Sequence, residues 1–216
     1  MSTPPTPSRS MILETVERYY ADRLAQFGPT PRGADWNSAE SQLLRFDRLL
    51  AALEEGGDAA DASLVDYGCG YGALLDVLRS RGRRLWYHGF DISSAMIEAA
   101  KTRHAADERA TFTTELSAVP RAHCTLASGI FNVRLGHGVD QWHEYVMETL
   151  AAMDALSTRA FAFNMLSTYS DMDRRRDDLF YADPLSMFDA CKRRFSTRVA
   201  LLHDYPLYEF TLIVRK

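Results

Sequence analysis

The sequence predicts an α/β domain: a doubly wound, mostly parallel sheet of seven strands, preceded by a helical segment. Three observations predict it. Short apolar runs alternate with stretches of helical periodicity from about residue 63 to 164, the pattern of a parallel sheet with helices on both faces. A glycine-rich turn, Gly68-Cys69-Gly70-Tyr71-Gly72, joins the first run to its helix. Near the end, the runs 199–203 and 208–214 are too close for a parallel crossover, so they pair antiparallel.

The elements follow in order. Residues 1–9 are rich in Pro, Ser and Thr and read as a loose tail. Ile12, Leu13, Val16, Tyr19, Tyr20 and Leu24 lie at helical spacing, and Gly28-Pro29 stops that helix. After a loop, Asn37 and Glu40 have the spacing of a capping box. A second amphipathic helix carries Leu43, Leu44, Phe46, Leu49, Leu50 and Leu53 and ends at Gly56-Gly57. Strands are expected at 63–67, 86–91, 111–114, 124–128 and 159–164. Helices are expected at 73–78, 95–104 and along the face marked by Trp142, Val146, Leu150, Met153 and Leu156. Asp183-Pro184 has the form of an N-cap and first-turn proline for a helix to about Phe195. The resulting division is a tail (1–9), an N-terminal helical segment (10–57) and a sheet domain (58–216).

Composition narrows the function classes. A chain of 216 residues suits one domain, at roughly 150 residues each, and can bury about 70% of its unfolded surface without staples. Three scattered cysteines form no disulfide framework or zinc motif and fit a reducing, cytoplasmic setting. Twenty-five basic against 29 acidic side chains leave a net charge of −4, which argues against nucleic-acid binding. No apolar run approaches the roughly 20 residues of a membrane span. No histidine spacing suggests a metal site. Oligomeric state is not readable.

The glycine turn is where a doubly wound sheet binds ligands, beyond the carboxyl ends of its strands. Glycines there let a ligand approach the backbone. Gly68, Gly70 and Ala73 also satisfy a relaxed dinucleotide pattern, and Asp91 suits ribose hydroxyls under either reading. Asp66 separates the two. Its carboxylate would repel a pyrophosphate over the turn and attract a ligand ammonium.

With these residues in view, the sequence resembles the class I, Rossmann-like S-adenosylmethionine-dependent methyltransferase family. Leu64 to Gly72 resembles its first motif, and Gly89-Phe90-Asp91-Ile92-Ser93 with Met96 resembles its ribose-binding segment. The resemblance covers about residues 60–216 and implies the strand order 3-2-1-4-5-7-6, with the last strand antiparallel. It implies S-adenosylmethionine as cofactor. Asp66 would lie near the methionine amino group, with Tyr67, Gly68, Cys69 and Gly70 forming the turn beneath it. Asp91 would hold the ribose, with Ile92 on the adenine. Glu115 and Leu116 would meet the adenine edge, and Gly129, Ile130 and Phe131 would flank the methyl donor. The N-terminal segment would be a lid.

The implied activity is in-line methyl transfer to oxygen or nitrogen of a small-molecule acceptor. The alternatives are a nicotinamide-dependent oxidoreductase, a donor-binding scaffold without catalysis, and a protein or RNA methyltransferase. The Asn/Asp-Pro-Pro-aromatic motif of base methylation is absent after the fourth strand, as is the glutamate pair of arginine methylation. Such a reaction needs alignment first, and a general base only where the acceptor holds its proton tightly. His137 and His143, which follow the donor-side loop, are the first candidates for that base, and Tyr20 is next; surface or helix-start roles compete for the histidines. Tyr19, Tyr20 and Trp36 read equally as lid or core. Asn132, Asn164 and Tyr181 are expected near the acceptor. Tyr169, Phe180 and Tyr181 would suit an apolar, aromatic or cationic acceptor.

Overall fold

The computed structural model describes residues 9–53 and 62–216. Residues 1–8 of the expected tail and the expected helix end at Gly56-Gly57 lie outside the described residues; Arg9 already belongs to a helix. The helices are α1 (Arg9–Phe27), α2 (Ala39–Leu50), α3 (Ala73–Ser80), α4 (Ser94–Arg103), α5 (Val139–Leu156) and α6 (Pro184–Arg194). The strands are β1 (Ser63–Tyr67), β2 (Trp86–Phe90), β3 (Ala110–Thr113), β4 (Ala122–Ala127), β5 (Ser157–Ser167), β6 (Tyr181–Ala182), β7 (Arg198–Leu202) and β8 (Glu209–Arg215).

One sheet runs in the order β3-β2-β1-β4-β5-β8-β7, with β6 pairing β5 off that path. β8 is antiparallel to both β5 and β7. Apart from the two-residue β6, this is the expected order and direction. The short terminal connection left no alternative for β7 and β8.

Local chemistry sets the ends. The Gly28 N–H bonds to Leu24 O at 2.8 Å as the chain leaves α1. Ser38, not Asn37, caps α2: its Oγ accepts from Ser41 N at 3.1 Å, the reach of a hydroxyl to the third residue on. Asp183 caps α6 as expected, with Pro184 in the first turn. β5 runs eleven residues, three past the expected end at Asn164, because β8 continues to pair with it as far as Leu166 opposite Glu209.

Alternate residues of the strands feed two cores, one on each face. Val65, Tyr67, Phe161 and Phe163 join α5, α6 and α1, the last through Ile12 and Val16. Leu64, Leu126, Ala160, Ala162 and Ile213 join α3 and α2, the last through Phe46, Leu49 and Leu50. The two N-terminal helices therefore pack on opposite faces, and the chain between them passes over the carboxyl ends of the central strands. Trp36 marks the crossing, lying against Gly129 just after β4. Among the described residues no helix is long and apolar enough to cross a membrane.

Candidate functional site

The turn after β1 is tied to the end of β2. Gly68 N and Cys69 N both donate to Phe90 O, at 2.7 and 2.9 Å. Asp91 is clamped from two sides: Oδ2 accepts from Gly70 N at 2.8 Å and Oδ1 from Ser93 N at 2.9 Å. Burial pushes its carboxyl above the usual carboxylate range, against those two N–H groups. Ser93 caps α4. Met96 is buried behind Gly70.

Asp66 is 3% exposed. Tyr87, wholly buried on β2, donates its hydroxyl to Asp66 Oδ2 at 2.5 Å. Burial pushes the Asp66 carboxyl up to about 7, with Asp91 adding to the rise and the Tyr87 hydrogen bond opposing it.

A cavity of about 50 Å³ lies over this turn, lined by Val16 and Tyr20 of α1, Tyr67, Gly68, Phe90, Asp91, Ile92, Ile130 and Tyr145. Drug-sized ligands occupy roughly 300–1,000 Å³, so this is a closed arrangement. Ile130 closes it. Gly68 has φ +80°, and a Cβ placed there would meet Ile130 Cγ2 at 2.2 Å. The glycine makes room for that side chain as well as for a ligand.

A second cavity, about 110 Å³, adjoins the first and shares Tyr20. Its lining includes Asp35, Trp36, Arg45, Asn132, Arg176 and Glu209. Behind it lies a buried polar network. Arg45 grips Glu209 with two hydrogen bonds, Nε to Oε2 at 2.8 Å and Nη2 to Oε1 at 2.7 Å. Asn164 Nδ2 donates to Oε2 at 2.8 Å, while Asn164 Oδ1 takes the Gly129 N–H at 2.8 Å. Asn132 Nδ2 reaches Oε1 at 3.5 Å, and Asn132 Oδ1 takes Leu166 N–H. The Arg45 guanidinium lies 4.3 Å from the centre of the Trp36 ring. Asp35, at φ 61°, accepts from Tyr19 Oη at 2.7 Å and pairs with Arg23 at 2.7 Å.

The structure thus sets Tyr20, Tyr67, Gly68, Asp91, Ile92 and Ile130 in the walls of the first cavity, with Asp66, Cys69 and Gly70 next to them on β1 and its turn, and Tyr20, Trp36, Gly129 and Asn132 around the second. Others sit elsewhere. Phe131 is wholly buried, edge-on to Phe163, because its side chain turns into the α5 face of the core. Glu115 is exposed at the start of a short 3-10 turn, and neither it nor Leu116 lines either cavity. His143 is exposed on the outer face of α5. His137 stacks on Trp142, outside both linings, and burial lowers its pKa, so it is neutral. Burial raises the Tyr20 phenol, so it stays protonated. Asn164 is wholly buried and acts through Gly129 and Glu209. Tyr169 is 65% exposed beside His203, Phe180 is in the core, and Tyr181 lies under Arg175. None of the three aromatics walls the second cavity. Its rings are Tyr20 and Trp36, and most of its other walls are polar.

Asp35, Tyr87 and Glu209 were not among the residues expected at this site. Glu209 had a signal: one carboxylate in the apolar run Tyr208 to Val214.

The proteins that this chain is similar to are named as methyltransferases. A family profile described as a methyltransferase domain matches residues 65–156. A relative from Mycobacterium tuberculosis (strain ATCC 25618 / H37Rv), named "Putative methyltransferase Rv1506c", is 50% identical over 160 residues, 74% of this chain and 96% of that one. Magnesium protoporphyrin IX methyltransferase (ChlM) from Synechocystis PCC 6803, solved with bound SAM, superposes with a TM-score of 0.66 at 15% identity, covering 99% of this chain and 100% of that one. Human N-acetylserotonin methyltransferase (ASMT), in complex with SAM, gives 0.63 at 15% identity over 97% of this chain and 60% of that one. The structural likenesses show the fold. Half-identity along nearly the whole of a relative, with the family profile spanning the turn and Asp91, adds the sequence kinship: the chain belongs to the class I, Rossmann-like S-adenosylmethionine-dependent methyltransferase family.

Proposed function

We propose that the protein binds S-adenosylmethionine over the Gly68–Gly70 turn and transfers its methyl group to an oxygen or nitrogen of a small polar acceptor held in the second cavity. The observation that carries this is the abutment of the two cavities across Tyr20. One is formed by the turn and Asp91, the other by Asp35, Trp36, Asn132 and the Arg45–Glu209 pair. The residues fit the donor's polar ends. Asp91 has lone pairs left for ribose hydroxyls. Asp66 is a buried carboxyl with one hydrogen-bond donor among the described residues. That carboxyl, beside the turn, is unsuited to a pyrophosphate, which weighs against a nicotinamide cofactor.

When bound, the donor supplies a methyl carbon already activated by its positive sulfur. The chain's residues do the rest. Tyr20 and Trp36 wall off water and orient the acceptor. The two carboxylates of the acceptor cavity differ in capacity. Glu209 receives four donors, from Arg45, Asn164 and Asn132, and is saturated. Asp35 receives two, from Tyr19 and Arg23, and keeps room for another. Asp35 is therefore placed to take the proton that an attacking O–H or N–H loses as the new bond to carbon forms.

Incubation with methyl-labelled donor and a metabolite extract, read by mass spectrometry, tests the function. Label in small molecules is expected; label confined to protein or RNA would overturn the acceptor class. Admission of the donor also requires α1 and Ile130 to move. Ile130→Ala is expected to speed association of S-adenosylhomocysteine roughly tenfold, measured by stopped-flow fluorescence. An unchanged rate would show that Ile130 does not obstruct the site.

A further inference from the structure

We propose that Tyr87 is a positioning residue of the donor site: it fixes one oxygen of Asp66 so that the other is presented to the ammonium group of the donor's methionyl end. This rests on the reading that the turn holds S-adenosylmethionine. Tyr87 and Asp66 stand on neighbouring parallel strands, where Leu64 is opposite Tyr87 and Asp66 opposite Gly89. The Tyr87 ring is wedged against Phe112 of β3, 5.7 Å between centres, so its hydroxyl has little freedom to leave Asp66. Asp66 Oδ1 takes no hydrogen bond among the described residues and is not one of their sealed, unpartnered atoms, so it meets open space. A carboxylate this deep with a bare oxygen is a group awaiting a partner, and a cation is the partner that best repays its burial.

The groups facing Asp66 are few. Tyr87 comes from β2, Asp91 from the end of the same strand, and Cys69 from the turn. No cation is among the causes that set its charge state. With the carboxyl pushed up to about 7 by burial, its charge is expected to change across neutrality in the free protein. The ammonium binds the ionised form, so donor affinity rises as pH rises through neutrality, by at most tenfold per unit below that point. The Tyr87 hydrogen bond favours the ionised form. Without it the midpoint moves up.

The test is calorimetric titration of S-adenosylhomocysteine into wild type and Tyr87→Phe from pH 5.5 to 9, which brackets the shifted value of about 7. Wild type is expected to show the neutral step. Tyr87→Phe is expected to bind about tenfold more weakly at pH 7, with its midpoint moved upward and the two curves converging at high pH. Equal affinity and equal midpoint, or a loss that is uniform at every pH, would overturn the role of Tyr87. Absence of binding by wild type at every pH would instead overturn the donor reading itself, and this inference with it. Asp66→Asn, which keeps an oxygen for the Tyr87 hydroxyl, is the second variant. Its affinity is expected to lose the neutral step, and a step that persists would overturn the proposal even if Tyr87→Phe failed to fold.

Discussion

Replacing Arg45 with methionine is expected to lower the folding free energy by about 3–5 kcal/mol, the cost of leaving one partner of a buried ion pair alone. The reason lies in the Arg45–Glu209 geometry. Glu209 is 1% exposed, at the start of β8, and Arg45 on α2 supplies two of its four donors, both under 3 Å. Methionine fills much of the arginine stem's volume but brings no charge. Asn164 and Asn132 would then face a carboxylate with nothing to offset it. Urea denaturation followed by far-ultraviolet dichroism measures the loss. Arg45→Met with Glu209→Gln should recover most of it, since glutamine accepts from Asn164 without a charge. A single-variant loss under about 1 kcal/mol would mean that water reaches the pair and screens it as it does at a surface.

Asp91→Ala is expected to weaken S-adenosylmethionine and S-adenosylhomocysteine about 30- to 150-fold, the equivalent of roughly 2–3 kcal/mol for lost hydrogen bonds to a charged group. Two losses combine here. The ribose hydroxyls lose their acceptor, and Gly70 N–H loses the bond that fixes the turn. Asp91→Asn separates them: an amide oxygen can still accept from one backbone N–H, so that variant should fall between alanine and wild type. Calorimetry with both ligands checks the order. Affinity within threefold of wild type for the alanine variant would place the ribose elsewhere.

These two residues also show what the sequence disclosed. Asp91 was legible because its setting is local. A strand, an acidic end and a helix start follow one another over a few residues, and the glycine turn has the same compactness. The strand order came with the family resemblance; the residues themselves gave the alternation of elements and the antiparallel pairing across one short terminal link. Arg45 and Glu209 are 164 positions apart, and only the packing of α2 against β4, β5 and β8 brings them together. Tyr87 read as one more aromatic in a buried strand. Its partner became evident once β1 and β2 were in register. The histidines failed in the opposite way. His137 and His143 are close in sequence to Gly129, but the chain leaves the cavity wall after Val133 and the phase of α5 points His143 outward. Nearness along the chain stood in for nearness in space. The aromatics at 169, 180 and 181 failed likewise, because Phe180 was drawn into the core and Tyr169 left on the surface.

The crossing of Trp36 over Gly129 has a practical consequence. The chain has three tryptophans. Trp142 is sealed in the core with its Nε1 bonded to Phe131 O, and Trp86 is on the surface beside Arg109. Trp36 is the one that borders the second cavity, edge against backbone and face under a guanidinium. Its emission is an intrinsic optical probe of that space. A compound entering the cavity should change the fluorescence of the wild type and leave that of Trp36→Phe unaltered. A search for the methyl acceptor can therefore begin with a lamp and a compound library, before any product has been seen.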